Sequence, residues 1–385
     1  MEDIFPGIGR TAYLPTDILL NVMSYVSSSP DSQVTLAACC LINGSNFNAF
    51  ARSICPDFRS RSRRSNLGQL VYRFNMNMLV HESTNSLTTR LLGRMKDTLE
   101  LYRAPMASFT ESSLVPISKS KSLRVLDLEL ASPAMPLIKL KHAIRSLDRL
   151  TQLRMPKSVL VPMDPKDVNA IPWPPNLKRF QFSSIDQVGP NETVIPLEPR
   201  GRLSWPETIT SLNIKAAFRF PSWALYDIFN DGKLSETLRR VRLSSASWAE
   251  SSISEIFSTP GPVLPNLTFL SVPGYNLTPD LFMPLIGDEQ TIPPCLDLEI
   301  LEFGPSHFIF GDFPMEEFTQ ALDRGLPKLR RVGFHEVHAF RLSNEVDIKL
   351  DQLLEANAAK AGYDQEGINS GDILTGVYYF GDPER

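Results

Sequence analysis

The stretch LRVLDL at residues 123–128 carries apolar side chains at its first, fourth and sixth places. Side chains of an extended chain alternate between faces, so Leu126 and Leu128 share one face and Val125 and Asp127 the other. One face suits a core; the other is displayed. The hexamer recurs as LTQLRM from Leu150, LKRFQF from Leu177, ITSLNI from Ile209, LRRVRL from Leu238, LTFLSV from Leu267, LEILEF from Leu298 and LRRVGF from Leu329. Successive starts lie 27, 27, 32, 29, 29, 31 and 31 residues apart, a phase that marks one repeating unit.

Proline and a turn precede several copies, as in WPPNLKRF, LPNLTFL and LPKLRRV, so the chain is stopped and re-aimed before each strand. Between strands, PLIKLKHAIRSLDR, WALYDIFND, SWAESSISEIF and PMEEFTQALDRG repeat apolar residues at three and four, the spacing of return helices. The 31 prolines belong mainly to these connectors, which accounts for their excess without disorder.

This strand, turn and helix unit resembles the leucine-rich repeat. The resemblance implies an α/β solenoid over 121–345, a parallel-sheet horseshoe of about eight repeats with outer helices. Where the family carries Asn or Cys three positions beyond the last strand hydrophobe, five copies have Ala131, Ile185, Ala217, Ala246 and Val337. An irregular horseshoe is therefore expected, its turn backbone satisfied by water or neighbouring strands. Solenoid ends must be covered. Within the linker and N-cap of 54–120, QLVYRFNMNML and TRLLGRMKDTLELY read as two amphipathic helices. At 346–385, the helical IKLDQLLEANAAKAG and the apolar end of GINSGDILTGVYYF read as the closing cap.

Ahead of the repeats, YLPTDILLNVMSYV at 13–26 opens with Leu14-Pro15, a proline suited to a first helical position. Ile18, Leu19, Val22, Met23 and Val26 then form one apolar stripe. A polar break follows, then a second stripe with Leu36 and Leu41, a turn at Asn43-Gly44, and Phe47. Three short helices in about forty residues hold little core of their own and want a partner. Residues 12–53 resemble the F-box through Leu14, Pro15, Ile18, Leu19, Val22, Met23, Val26, Leu36, Leu41 and Phe47; the family's basic residue and tryptophan after the second helix are replaced by Asn43–Asn46 and Phe47. The resemblance implies that these residues dock a Skp-type adaptor of a cullin-RING ubiquitin ligase, with the repeats selecting the target. A non-degradative repeat scaffold is the alternative.

No stretch approaches 18 consecutive apolar residues, and MEDIFPGIGRTAY lacks the basic segment of a signal peptide. The chain is expected in the cytoplasm or nucleus, and its sequons at Asn43, Asn191, Asn266 and Asn276 are expected to be incidental. A net charge of -4, from 39 basic and 43 acidic residues, gives no pull toward nucleic acid or membrane. Cys39, Cys40, Cys55 and Cys295 lack paired metal-ligand spacing and read as reduced thiols. RSRSRRS at 59–65 reads as a solvated linker. GFHEVHAF lacks the second histidine position of a zinc-protease box, which leaves His335 and His338 to surface or packing roles. No phosphate loop, nucleophile elbow or paired catalytic carboxylate stands out, so neither catalysis nor a cofactor or metal is expected.

Position-matched residues of successive repeats become neighbours about 4.8 Å apart across a sheet. Arg154, Arg179, Lys215, Arg240 and Arg242 therefore gather on the displayed face as a basic middle, with Asp127 and Glu129 on one flank and Glu302 on the other. Guanidinium groups suit carboxylate and phosphate oxygens, so these five are the expected target-binding residues, for an acidic or phosphorylated segment.

Overall fold

The computed structural model describes residues 50–52, 54–55, 67–77, 85–132, 134–160, 166–184, 204–216, 229, 231–245, 264–286, 297–305, 313–338, 342–363 and 375–381. Among these, the strands numbered in chain order are β1 (Arg73–Asn75), β2 (Leu101–Arg103), β3 (Val125–Asp127), β4 (Met135–Pro136), β5 (Gln152–Arg154), β6 (Val159–Leu160), β7 (Arg179–Ser184), β8 (Ser211–Ala216), β9 (Arg240–Ser245), β10 (Phe269–Pro273), β11 (Ile300–Gly304), β12 (Arg331–His335) and β13 (Gly376–Phe380). All except β4 and β6, which pair with each other, lie in one 11-stranded sheet in chain order. Every pairing is parallel.

Each of the eight hexamers supplies one strand of the sheet, consistent with a repeat solenoid. Leu126, Leu153, Leu212, Val241, Leu301 and Val332, all at the fourth place, are at most 1% exposed. Among the described residues the connecting helices are α1 (Asn85–Met95), α2 (Leu114–Ser118), α3 (Leu137–Ile144), α4 (Lys166–Asn169), α5 (Gly232–Thr237), α6 (Pro279–Ile286), α7 (Met315–Arg324) and α8 (Asn344–Lys360); of the segments 223–231 and 247–257, also expected to be helical, all but 229 and 231 lie outside those residues. Their buried residues, such as Leu140 and Ile144 of α3 and Phe318 and Leu322 of α7, join the strand leucines in one core.

The sheet is longer than the hexamer count. QLVYRFNMNML is not a helix: Leu67–Leu70 forms a 3-10 turn and Arg73–Asn75 is β1. In TRLLGRMKDTLELY the helix ends at Met95 and the chain becomes β2. Both strands keep the repeat's form with other residues, Val71, Phe74 and Met76 in one and Leu99, Tyr102 and Ala104 in the next. At the far end, β13 pairs with β12 and continues the sheet.

Two recurring hydrogen bonds hold the repeats at one level. Before six of the hexamers a turn closes three residues back, from Leu123 N to Ser120 O, Leu150 N to Leu147 O, Leu177 N to Pro174 O, Ile209 N to Pro206 O, Leu267 N to Leu264 O and Leu329 N to Leu326 O, and before Leu238 it closes four back, to Leu234 O. Pro175, Pro265 and Pro327 occupy the second turn position, where a fixed φ favours the bend. A single carbonyl of the preceding repeat then accepts two consecutive N–H groups. Arg124 O takes Thr151 and Gln152, Thr151 O takes Lys178 and Arg179, and the pattern runs on through Glu299 O, which takes Arg330 and Arg331. Further carbonyls are met by polar side chains of the next repeat: Asn176 donates to Asp148 O, Thr208 to Leu177 O and Asn266 to Glu236 O. These bonds lie at the entry to the strands; of the turn positions beyond them, Ile185, Ala217 and Ala246 fall outside the described residues, and Ala131 N–H donates to Leu128 O.

The last strand has its own guard. Successive N–H groups of a strand point to opposite edges. Gly376 N–H pairs back to Arg330 O, and Val377 N–H instead donates to Asp351 Oδ1 of α8 at 2.6 Å. One turn earlier on α8, Asp347 accepts from the Tyr379 hydroxyl at 2.8 Å.

His335 and His338 are buried, which selects packing from the two expected roles; His338 Nε2 lies 2.8 Å from Gly304 O. Cys55 is a buried free thiol, and no group of three or more His, Cys, Asp or Glu among the described residues has a metal-site arrangement. No helix among them is long and apolar enough to cross a membrane.

Lys141 is buried inside the core, where its Nζ donates to Val168 O at 2.8 Å and sits 4.6 Å from the Trp173 ring centroid. Burial lowers its pKa from 10.5 to about 8. Between those values the folded chain holds fewer protons than the unfolded one, so stability rises with pH through the window and is lowest below it. Urea unfolding of the intact protein between pH 8 and pH 10 is expected to show that rise relative to Lys141→Met, a comparison in which the opposing effect of the buried Cys55 thiol, its pKa raised by burial, cancels.

Packing supplies a second test. A Cβ added at Gly325, just past α7, would lie 1.4 Å from Leu285 O of α6, whereas one at Gly93 in α1 would meet nothing within 4 Å. Gly325→Ala is expected to cost about 1–3 kcal/mol or more in urea unfolding by forcing the two helices apart. Gly93→Ala should gain about 1 kcal/mol from helix propensity.

Candidate target-binding face

The displayed face is built by strand register. One row runs Arg179, Ser211, Arg240, Phe269, Ile300, Arg331 across β7 to β12. Two residues further along each strand, a second row runs Arg103, Asp127, Arg154, Gln181, Asn213, Arg242, Ser271, Glu302, Gly333, Tyr378.

The five expected basic residues all lie on this face, and the structure sorts them into two sets. Arg154, Lys215 and Arg242 are paired. Arg154 Nη1 lies 3.4 Å from Asp127 Oδ2 and 3.5 Å from Glu129 Oε2. Lys215 Nζ donates to Glu129 Oε1 at 2.7 Å, and Arg242 Nη2 to Glu302 Oε2 at 2.8 Å. Arg179 and Arg240 are exposed, and among the described residues neither has a carboxylate within ion-pair distance. The picture of a basic middle between separate acidic flanks is thereby corrected: long side chains bridge several strands, so acids and bases interleave.

The three carboxylates are nearly covered, at 3% exposure for Asp127, 8% for Glu129 and 6% for Glu302. Buried charges persist where they are paired and hydrogen-bonded. Glu129 also accepts from Gln181 Nε2, and Gln181 Oε1 in turn accepts from Asn213 Nδ2. Asp127 accepts from Glu129 N–H, and burial pushes its carboxyl above the ordinary value against the opposing pull of Arg154.

Glu302 is held from both sides. Tyr378 reaches from β13 across Gly333 of β12 to donate its hydroxyl to Glu302 Oε1 at 2.8 Å. A Cβ on Gly333 would lie 2.6 Å from the Tyr378 Cζ, so the crossing requires glycine there. The same ring carries the Arg331 guanidinium 4.4 Å from its centroid, and Phe269 carries those of Arg240 and Arg242 at 4.1 and 5.4 Å. Burial lowers the Arg240 pKa first, and the Arg242 charge adds to it.

Arg331 is the residue that the sequence expectation missed. Its signal was present, since it holds the third place of LRRVGF as Arg179 and Arg240 hold the third place of theirs. Like them, it has no carboxylate within ion-pair distance among the described residues. Leu14, Pro15, Ile18, Leu19, Val22, Met23, Val26, Leu36, Leu41 and Phe47, the expected adaptor contacts, lie outside the described residues.

With this parallel α/β sheet and its charged face in view, the chain can be set beside known proteins. No family model matches it. Over 219 residues it is 27% identical to the F-box protein YDR306C of Saccharomyces cerevisiae. The shared stretch is 56% of this chain and 42% of that protein, so the chain spans less than half of the relative's length.

Tyr378→Phe, which keeps the ring and loses the hydroxyl, is expected to cost about 1–2 kcal/mol in urea unfolding by removing a donor from a covered carboxylate. Gly333→Val should cost at least as much by displacing the ring. In a Tyr378→Ala background most of the Gly333→Val cost should vanish, because the clashing partner is gone.

Proposed function

We propose that the chain is a non-catalytic substrate receptor of an SCF-type cullin-RING ubiquitin ligase. Residues 12–53 hold the Skp-type adaptor through Leu14, Pro15, Ile18, Leu19, Val22, Met23, Val26, Leu36, Leu41 and Phe47. The displayed face of the parallel sheet holds the target protein. The similarity to an F-box protein carries this reading, and the F-box resemblance of residues 12–53 agrees with it. Chemistry is supplied elsewhere in the ligase. The chain contributes proximity, raising the effective concentration of target at the site of ubiquitin transfer.

The test follows from the apolar stripe. Ile18→Asp with Val22→Asp would place charge at the centre of an interface that excludes water, where an unpaired charge costs at least several kcal/mol. Co-purification of a Skp-type adaptor with the full chain is expected to be lost in the double variant, with the repeat sheet melting as before. Undiminished adaptor capture would sink the assignment, and a lower melting temperature would favour a capping role for the N-terminal helices.

A further inference from the structure

Three arginines of one row stand apart from the rest of the charged face. Arg179, Arg240 and Arg331 share a register position, and among the described residues none has a carboxylate within ion-pair distance, whereas Arg154, Lys215 and Arg242 do. The nearby acid, Glu302, has both oxygens engaged, by Arg242 and Tyr378. Arg240 and Arg331 are held in place by stacking on Phe269 and Tyr378. Two of the three arginines are thus pre-positioned, and the row lacks an ion-paired carboxylate among the described residues, in a chain whose net charge is -4.

Its shape selects the ligand. Arg179 and Arg240 are two strands apart, about 10 Å, and Arg240 and Arg331 three strands apart, about 14 Å. A single anionic group could meet only one neighbourhood of such a row. An extended peptide advances about 3.3 Å per residue and alternates its side chains, so acidic residues four apart share one face about 13 Å apart; three of them span about 26 Å against about 24 Å for the row, a difference the long arginine side chains take up.

We infer that Arg179, Arg240 and Arg331 form a docking row for an extended acidic peptide segment that runs across the strands, with Asp or Glu side chains at positions i, i+4 and i+8. This deepens, and rests on, the reading of the displayed face as the target platform. Each guanidinium takes one carboxylate through a forked pair. Phe269, beside Arg240 in the row, holds its guanidinium carbon 4.1 Å from the ring centroid.

The test is fluorescence anisotropy with the full chain and a fluorescein-labelled Gly-Ser peptide carrying glutamates at that spacing. Two controls carry glutamine at all three places, or one phosphoserine at the central place with glutamine at the others. The glutamate peptide is expected to bind, to weaken on raising the salt to about 0.5 M, and to exceed both controls. Arg179→Gln, Arg240→Gln and Arg331→Gln together should weaken it by about tenfold or more. Far-ultraviolet circular dichroism is expected to be unchanged, and Lys139→Gln, at an exposed helix position, should not alter binding. No binding, equal binding of the glutamine peptide, or indifference to the triple variant would overturn the row. Tighter binding of the phosphoserine peptide would overturn it in favour of a point phosphate site. If the peptide fails while adaptor co-purification holds, the row falls and the receptor reading stands; if adaptor capture fails while the peptide binds, the reverse holds.

Discussion

One backbone carbonyl per repeat, accepting two consecutive N–H groups from the next, is the constraint on which the rest of this molecule depends. A parallel pair tolerates only one relative level once such an acceptor is shared, because slipping a strand by one residue would turn its leucines outward. With the level fixed, the fourth-place residues stack into a core and the third and fifth places stack into rows on the opposite face. The Asn and Thr side chains that reach back to earlier carbonyls add to the same lock.

That constraint also explains what could be read from the sequence. The hexamer and its period gave eight strands, because leucine at fixed places is both the packing requirement and the visible signal. β1 and β2 escaped notice where Val71, Phe74, Tyr102 and Ala104 fill the same places with other shapes. Alternation placed the charged residues on the correct face. It carried no information on which of them meet, since Lys215 to Glu129 and Tyr378 to Glu302 are contacts made by long side chains across intervening strands. Arg331 was legible by position, but grouping the charges by repeat number rather than by row hid it.

Burying Asp127, Glu129 and Glu302 has a cost in lost hydration and a benefit in order. Each carboxylate fixes two or more donors, so the face is stiff before any partner arrives. A binding surface prepared in this way loses less side-chain freedom on complex formation than one of unpaired lysines would. Of the arginines left outside the network, Arg240 and Arg331 are held by aromatic rings instead, which restrict their motion without neutralising their charge.

The placement of Asp351 bears on a different scale. A parallel sheet whose final strand offers bare N–H groups is a template on which a second molecule could continue the same pattern, end to end. With a carboxylate fixed at Val377 N–H, any incoming strand would have to displace a charge-assisted bond and set its own carbonyl against an anion. Asp351 thus opposes continuation of the sheet at this edge, one N–H of its outermost described strand being already taken by a helix side chain.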